Sequence, residues 1–396
     1  MSFFVRNFIL LISGLALLLP FSGPAYDRDA EGMGVDTVHY LSILFVGDVM
    51  QHQPQIDAAY DAESRIYGYD SCFKYVRDLV SSYDISIANL EVTLGGPPYT
   101  GYPQFSAPDN IAVALKNTGF DVLSTANNHS CDRGRRGIER TIRILDSLEI
   151  QHTGTFKNAT ERESNYPMII KKNGIKVALL NYTYGTNGIA VPEQGMVNLI
   201  DTTLIAADLQ RAKDSLVDKI IVSTHWGDEY QSHPNQWQEQ IATFCFAKGA
   251  DIVIGSHPHV VQKMERYHYP DSNGREVMLV YSLGNYISNQ RARLKDGGAS
   301  IGFVLKKKNG KTEIEWAGNY FTWVWVPVVN GRKQYYIVPV SQYETVEGFM
   351  DAESKASMNV FITDSRSLYG KENKKIGEFT YDINTKTWAL PVDQKQ

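Results

Sequence analysis

The stretch DIVIGSHPHV, from Asp251 to Val260, decides the fold. Its apolar, β-branched beginning is typical of a buried strand in a parallel sheet. The strand is predicted to stop at Gly255, and His257 and His259 follow at once. Ligands of open α/β sheets bind at the carboxyl ends of the strands, and imidazole is the commonest protein ligand for metals. A surface histidine pair without a role would look the same, so the rest of the chain must decide between that pair and a metal site.

Strands and helices alternate through most of the chain. Apolar runs predict strands over 41–47, 84–88, 121–125, 219–224, 251–254 and 277–281, and a hairpin over 166–171 and 176–181. Helical spacing of apolar residues predicts helices over 72–80, 108–117, 134–148, 202–216 and 234–248. This alternation implies βαβ units, a largely parallel sheet and an α/β fold.

The pattern changes after Gly298. Alternating and aromatic residues over 301–306, 312–326 and 334–340, separated by Asn-Gly turns, predict antiparallel strands. We therefore expect two sheets. Residues 344–365 are predicted to be helical, and the polar end after Gly370 is expected to be a loose extension.

Polar side chains that can bind metals also follow the other predicted strands. They are Asp48, Asn89, Glu91, Asn127, Asn128, His129, His225, Glu229 and Asn285. Because the carboxyl ends of parallel strands meet at one edge of a sheet, we expect these side chains to lie near the histidine pair.

Each of these residues alone also fits an ordinary role. Asp48 would serve as a turn or helix cap, Asn127 and Asn128 as left-handed turn residues, Glu91 as a solvated charge, and His225 as a core histidine. Their coincidence at one edge favours a shared metal site. Two divalent ions roughly 3.5–4 Å apart need carboxylate, imidazole and oxygen ligands, and such a pair activates water for attack on a phosphoester or acyl group. A set of nitrogen and oxygen ligands without a thiolate favours Mn, Fe or Zn.

The N-terminus carries an export signal. Arg6 precedes an apolar run over 8–21, and small residues follow at 23–25. A run of about 14 residues is short of the roughly 20 that span a membrane. The pattern predicts a signal peptide over 1–25, either cleaved or kept as an anchor, and then a charged, glycine-rich linker over 26–40.

Charge and cysteine usage exclude other classes. The net charge of −5, without a basic block, argues against nucleic-acid binding. The odd set Cys72, Cys131 and Cys245 is not a disulfide framework, although one pair remains open. Cys131 follows His129 closely enough to neighbour a metal.

An ordered set of motifs resembles the calcineurin-like metallophosphoesterases and, in wording, the CapA family of capsule or poly-γ-glutamate synthesis proteins. The motifs are FVGDVM at 45–50, ANLE at 88–91, ANNH at 126–129, THWGDEY at 224–230, GSHPHV at 255–260 and YSLGNY at 281–286. The resemblance implies a four-layer αββα sandwich with two mixed β-sheets over 41–342, followed by a helical extension and tail over 343–396.

The resemblance also implies roles for single residues. It implies the metal ligands Asp48, Glu91 (as bridging carboxylate), Asn128, His225, His257 and His259, normally holding two divalent ions. His129 resembles the histidine that protonates a leaving group. Glu229, if it lies one helical turn after His225, would be a general base or would orient a ligand. Asn89, Asn127 and Asn285 would line the site.

The first motif departs from the phosphoesterase pattern. Met50 stands where the pattern has a histidine ligand, and the nearest histidine is His52. Glu91 replaces an aspartate and is longer by one methylene. Phosphatase activity therefore does not follow directly from the resemblance.

Two functional hypotheses follow. The first is an exported, metal-dependent hydrolase or transferase acting on a phosphoester or amide of an anionic polymer in the cell envelope, at the periplasm or cell surface. The second is a non-catalytic assembly or export module that binds such a polymer. In both, the resemblance implies membrane-bound capsule synthesis machinery as a partner, and neither involves nucleic acid.

Overall fold

A computed structural model of the chain describes residues 37–270 and 274–390. The predicted signal peptide or anchor over 1–25, and the linker as far as residue 36, lie outside these residues. The first strand begins at His39, inside the predicted linker. Within the described ranges, the chain contains no helix that is both long enough and apolar enough to cross a membrane.

Strands are the more numerous elements. In chain order they are β1 His39–Val49, β2 Tyr60–Asp61, β3 Ile66–Tyr67, β4 Ile85–Leu90, β5 Val122–Ser124, β6 Gln151–Thr153, β7 Met168–Lys172, β8 Ile175–Thr183, β9 Lys219–His225, β10 Ile252–Ser256, β11 Met264–His268, β12 Glu276–Val280, β13 Asn285–Ile287, β14 Gly297–Lys308, β15 Lys311–Trp325, β16 Val328–Val329, β17 Arg332–Lys333, β18 Tyr336–Pro339, β19 Gly377–Glu378, β20 Thr380–Asp382 and β21 Thr387–Ala389. Every strand predicted from an apolar run has a counterpart among them.

Helices occupy most of the crossover connections. They are α1 Gln53–Ala59, α2 Arg77–Ser81, α3 Asn110–Thr118, α4 Gly134–Ser147, α5 Ala159–Asn165, α6 Thr202–Asp214, α7 Gln236–Ala247, α8 Val340–Tyr343 and α9 Ala352–Glu372, with a 3₁₀ helix at Asp70–Phe73. The helix predicted over 72–80 is thus divided between the 3₁₀ helix and α2. The helix predicted over 344–365 begins later, at the capping residue Asp351, whose side chain accepts the backbone N–H of Ser354.

Two mixed sheets form the centre of the fold. The first has the order β18-β15-β14-β1-β4-β5-β6, and β13 and β19 pair beside β1 and β15. Strands β1, β4, β5 and β6 are parallel, whereas β14, β15 and β18 are antiparallel. The second has the order β11-β12-β10-β9-β8-β7, in which β8, β9, β10 and β12 are parallel. The late antiparallel strands therefore extend the first sheet instead of forming a separate one.

Side chains alternate between two cores along each central strand. In β1, Ile43 faces the core between the sheets, together with Leu179 and Ile221 of the second sheet. The next residue, Leu44, joins a second core that contains Leu115 of α3. This period of two is the one that a strand buried on both faces requires.

The second sheet has a helix-covered outer face of its own. Val222 of β9 packs with Leu209 of α6 and Phe246 of α7. The layers are therefore helices, sheet, sheet and helices. The predicted α/β class and four-layer αββα sandwich with two mixed sheets are confirmed.

The C-terminal residues differ from the expected loose extension. β19 pairs with β15, and β20 and β21 form a hairpin. Ile376, Phe379 and Leu390 are buried in the cores, and Phe379 stacks on Tyr320 with ring centroids 4.6 Å apart. Residues after Gly370, as far as 390, are therefore part of the folded body, and the expected boundary at 342–343 does not separate an independent extension.

Candidate metal centre

The carboxyl ends of strands from both sheets meet at one edge of the sandwich. Asp48 lies near the end of β1 and Glu91 directly after β4 in the first sheet. In the second sheet, His225 is the last residue of β9 and His257 follows β10. Because β9 and β10 are parallel and paired in register, with Ser256 beside His225, both histidines arrive at the same level.

Glu91 lies at the centre of the site. Its Oε1 lies 3.5 Å from Nε2 of His225 and 3.7 Å from Nε2 of His259. Two groups of potential metal ligands share it, namely Glu91 with His257 and His259, and Glu91 with Asp48 and His225. Within each group the ligand atoms lie within 4.8 Å of one another.

The Glu91 carboxylate has the environment of a cation ligand. It is fully buried, and neither of its oxygens has a hydrogen-bond partner among the described residues. Burial, and next the nearby charge of Asp48, raise the pKa of Glu91 well above its usual value. A buried carboxylate without partners is costly, and a bound divalent cation would remove that cost. The residues present therefore fit the metal that the family resemblance implies.

Two of the three histidines around Glu91 are held in the neutral form that binds metals. Burial lowers the pKa of His225 well below its usual value and that of His257 to about 2. Both rings are therefore neutral near pH 7, with a nitrogen lone pair available. Nδ1 of His257 has no hydrogen-bond partner in the part of the chain that the structure describes, and Nδ1 of His259 lies 3.1 Å from Oδ2 of Asp48.

Amide and hydroxyl groups hold these ligands in place. Asn89 donates to Oδ1 of Asp48 at 2.8 Å. Oδ1 of Asn128 lies 3.0 Å from Nε2 of His225, whose Nδ1 lies 3.0 Å from Oγ of Ser256. Asn128 therefore lies beside His225, and Asn89 supports the carboxylate of the first motif.

His129 is paired with a carboxylate. Its Nδ1 lies 2.7 Å from Oδ2 of Asp132, and both side chains are buried. The same carboxylate oxygen accepts the backbone N–H of Phe105 at 2.7 Å, and the Phe105 ring packs edge-on against His129 with centroids 4.5 Å apart. The imidazole orientation is thus fixed by Asp132 and Phe105.

Asn127 does not have the left-handed backbone expected of a turn residue, but its side chain makes a local bond to the backbone. Its Oδ1 accepts the backbone N–H of His129 at 3.1 Å, and its Nδ2 donates to the carbonyl of Leu90 at 2.8 Å. The side chain thereby ties the loop after β5 to the end of β4. It shapes the site wall and positions His129.

Glu229 lies at the exposed rim of the site. The chain after His225 forms a turn instead of a helix, so the expected helical spacing is absent. The Glu229 charge still contributes to the raised pKa of Glu91. Asn285 is fully buried in register with Asp48, and its Nδ2 donates to the carbonyl of Lys295 at 2.8 Å, while its Oδ1 has no partner among the described residues.

Backbone geometry at the two histidines is unusual. His257 has a φ of 98° and His259 has a φ of 57°, values that residues other than glycine rarely adopt. Strain of this kind persists where the surrounding structure enforces it, and it is common at functional sites.

Gly47 allows the two motifs to approach each other. The backbone N–H of Asp48 donates to the carbonyl of Gly284 at 2.9 Å. A Cβ on Gly47 would lie 2.0 Å from that carbonyl oxygen. Only glycine therefore permits the contact that places Asp48.

The departure at Met50 has a structural counterpart. Met50 is buried in the apolar core that also contains Leu115 of α3. His52 belongs to neither ligand group found among the described residues; its Nδ1 lies 3.3 Å from both the backbone N of Asn289 and Oε1 of Gln55, and its ring packs on Phe105. Burial lowers the pKa of His52 to about 4.

Sequence reasoning missed Asp132, Ser256 and Tyr184. Asp132 follows His129 by three residues, a spacing that was a usable signal. Tyr184 covers the site with its ring centroid 4.6 Å from that of His257, yet 40% of its surface is exposed. Nothing in the sequence around Tyr184 indicates this position. Cys131, in contrast, packs in an apolar cluster with Ile138.

Comparisons with known proteins agree with the motif pattern. A family model described as bacterial capsule synthesis protein PGA_cap matches residues 42–290. The chain is 30% identical over 270 residues to the capsule biosynthesis protein CapA of Bacillus anthracis, covering 65% of this chain and 62% of that protein. It is 27% identical over 360 residues to the PGA biosynthesis protein CapA of Bacillus subtilis (strain 168), covering 87% and 83%.

Similar solved structures are more distant in sequence. One is the Haemophilus influenzae NAD nucleotidase NadN, with a TM-score of 0.46, 13% identity, and coverage of 88% of this chain and 66% of that one. Another is the calcineurin-like phosphoesterase YfkN from Bacillus subtilis, with a TM-score of 0.41, 15% identity, and coverage of 84% and 98%.

Proposed function

This chain belongs to the bacterial capsule synthesis protein family PGA_cap, and on that premise we propose that it is a divalent-metal-dependent hydrolase or transferase. Its substrate is a phosphoester or amide bond of an anionic envelope polymer. The observation that carries the proposal is Glu91, a fully buried carboxylate that has no hydrogen-bond partner among the described residues and lies next to three imidazoles. A purely polymer-binding surface does not require such a carboxylate.

Asp48, Glu91, Asn128, His225, His257 and His259 would hold the metal. The overlap of two ligand groups at Glu91 favours two ions that share this carboxylate, with Mn, Fe or Zn suited to the mixed nitrogen and oxygen ligands. Since Met50 supplies no ligand, one of the two positions has fewer protein ligands and binds its ion more weakly. Bound ions supply stabilisation of developing negative charge and a water of lowered pKa.

His129 is proposed to give a proton to the leaving group. The Nδ1–H group donates to Asp132, so that Nε2 faces away from the carboxylate and is the atom that transfers the proton. Tyr184 partly covers the histidines and limits the access of water. Glu229, at the exposed rim, is proposed as the base that accepts a proton from the attacking group as it enters.

The biological setting completes the proposal. The names of the two relatives refer to capsule and PGA biosynthesis, and we extend that role to this chain. The polymer would be poly-γ-glutamate or another anionic capsule material, handled outside the cytoplasm next to membrane-bound synthesis machinery. The apolar run over 8–21 supports export.

The test uses the full chain, purified and supplied with Mn²⁺ or Zn²⁺. Bound metal is measured by elemental analysis, and turnover is measured on a chromogenic phosphomonoester, a phosphodiester and poly-γ-glutamate. We expect bound metal and multiple turnovers on at least one of these probes. His257→Ala is expected to lose both, since it removes a buried imidazole next to Glu91.

His268→Ala is the matched control. His268 is an exposed histidine on β11, so its loss is expected to change neither metal content nor turnover. Polymer binding without turnover by the metal-loaded protein would contradict the proposal and would support the non-catalytic assembly module instead.

A further inference from the structure

A small cavity lies beside α1, and none of its lining residues is a candidate metal ligand. It is lined by residues that include Gln51, Gln55, Tyr69, Gln334 and Tyr335, and its volume is about 10 Å³. That volume accommodates about one water-sized group. Gln51 and His52 are neighbours in sequence, but their side chains have different surroundings. The His52 ring packs on Phe105, which in turn packs on His129.

Two side chains in this cavity have hydrogen-bonding groups without partners. Gln51 is fully buried, and neither its amide nitrogen nor its amide oxygen has a partner among the described residues. Tyr69 is 2% exposed, and its hydroxyl also lacks a partner. Each buried polar group of this kind destabilises the fold unless something bonds to it. The arrangement therefore points to an occupant.

The unpaired atoms define the chemistry of that occupant. The Gln51 nitrogen donates, the Gln51 oxygen accepts, and the Tyr69 hydroxyl does either. A carboxylate only accepts and an ammonium group only donates, so neither satisfies both ends of the amide. A hydroxyl group does so, and it is small enough for the cavity.

A larger groove adjoins the cavity. The two share Ala58, Ala59, Gly68 and Gln334, and the groove has a volume of about 320 Å³. Pockets for small ligands begin at roughly this size. The groove therefore has room for the body of a molecule whose one hydroxyl enters the cavity.

The groove walls favour a neutral ligand. Asp61 and Arg332 carry opposite charges in the same groove, so there is no excess of one sign to select an anion or a cation. Tyr60 offers an aromatic surface and Ser64 a hydroxyl, while Ile66 is 56% exposed. This mixture of ring, hydroxyl and balanced charge suits a molecule that carries several hydroxyls on an apolar ring.

We propose that the groove beside α1 is a binding site for a neutral saccharide unit, with one sugar hydroxyl held by Gln51 and Tyr69. The site is separate from the metal centre, and the proposal does not depend on the chemistry at Glu91. It gives the protein a second means of holding a polymer or an acceptor.

The experiment titrates the full chain with neutral methyl glycosides of glucose, galactose and N-acetylglucosamine, using calorimetry and saturation-transfer NMR. Inorganic phosphate serves as the anionic comparison. At least one glycoside is expected to bind at millimolar concentration, and phosphate is not expected to displace it.

Two variants separate the site from general effects. Gln51→Leu removes both polar atoms at similar size, and Gly68→Val places a side chain where nothing lies within 4 Å of an added Cβ. Each is expected to weaken glycoside binding at least tenfold, whereas Gln210→Leu on the exposed face of α6 leaves it unchanged. Gln51→Leu is also expected to raise the melting temperature of the ligand-free protein, because it removes unpaired polar atoms.

Either of two results would overturn the proposal. One is that none of the glycosides binds, in which case the cavity holds a single water. The other is binding that neither Gln51→Leu nor Gly68→Val weakens. If Gln51→Leu fails to fold, Gly68→Val alone decides, since its backbone conformation is an ordinary one and its surroundings are open.

Discussion

Replacing Glu91 by glutamine is expected to change stability in opposite directions in the metal-free and the metal-loaded protein. In the metal-free protein, the wild-type carboxylate is fully buried beside Asp48, and its two oxygens lack partners. An unsatisfied buried polar group costs about 1–3 kcal/mol, and more when it is charged. Glu91→Gln removes the charge at constant size, so at a pH where Glu91 is ionised metal-free Glu91→Gln is expected to be about 1 kcal/mol more stable than metal-free wild type.

With metal the order reverses. A ligand present at 100 times its Kd stabilises the folded state by about 2.7 kcal/mol. Wild type is expected to gain this amount with Mn²⁺ or Zn²⁺, and Glu91→Gln is expected to gain almost none, because a neutral amide is a poor substitute for a central carboxylate ligand. The assay is denaturant unfolding of chelator-treated protein, with and without added metal.

A matched control is Glu149→Gln, which changes a carboxylate whose side chain is 89% exposed and should move neither measurement. Equal stabilisation of wild type and Glu91→Gln by metal would refute the assignment of Glu91 as a ligand. A metal-free Glu91→Gln protein less stable than wild type would refute the argument that the bare carboxylate is costly.

Three further changes test other parts of the structure. Gly47→Ala places a Cβ 2.0 Å from the carbonyl oxygen of Gly284 and is expected to destabilise the fold by about 3 kcal/mol, whereas Gly185→Ala enters open space and should change the unfolding free energy little. Phe379→Ala removes a buried, stacked ring and should lower the free energy of unfolding, measured with denaturant, by about 3–5 kcal/mol. An unchanged free energy of unfolding would indicate that the C-terminal residues are a loose tail. Asp132→Asn removes the carboxylate that orients the proposed general acid, so steady-state kinetics should show turnover lower by roughly 10²-fold with unchanged bound metal, and unaltered turnover would argue against that role.

The sequence predicted which side chains come together wherever the fold permits only one arrangement. The carboxyl ends of parallel strands share an edge, so a polar residue after each strand is brought to that edge whatever the loops do. Asp48, Glu91, His225 and His257 follow this rule, and they come together from two different sheets.

The positions of site residues in loops could not be predicted, because the sequence does not determine loop conformation by a simple spacing rule. Glu229 would lie one helical turn beyond His225 if the chain were helical there, but the chain forms a turn, and the three intervening residues do not distinguish the two conformations. Tyr184 reaches the site from the loop after β8, where no spacing rule applies. Asn127 bonds to the backbone of His129 without the left-handed conformation expected of a turn residue, and its residue type alone does not predict this contact.

The sequence pattern also did not predict which of the two sheets each strand joins. The strands after Gly298 could be recognised as antiparallel, but alternation does not reveal which sheet a strand joins. The C-terminal residues were misjudged because their buried anchors, Ile376, Phe379 and Leu390, are widely spaced within a polar segment. Pairing of β19 with β15 is a tertiary contact that no local periodicity encodes.

The most direct test of the metal centre is anomalous X-ray diffraction from crystals of the full chain grown with saturating Mn²⁺ or Zn²⁺. We predict an anomalous peak within bonding distance of the Glu91 carboxylate and of at least one nitrogen of His225, His257 or His259. Saturated crystals in which the strongest anomalous peaks lie elsewhere, with none at Glu91, would contradict the account.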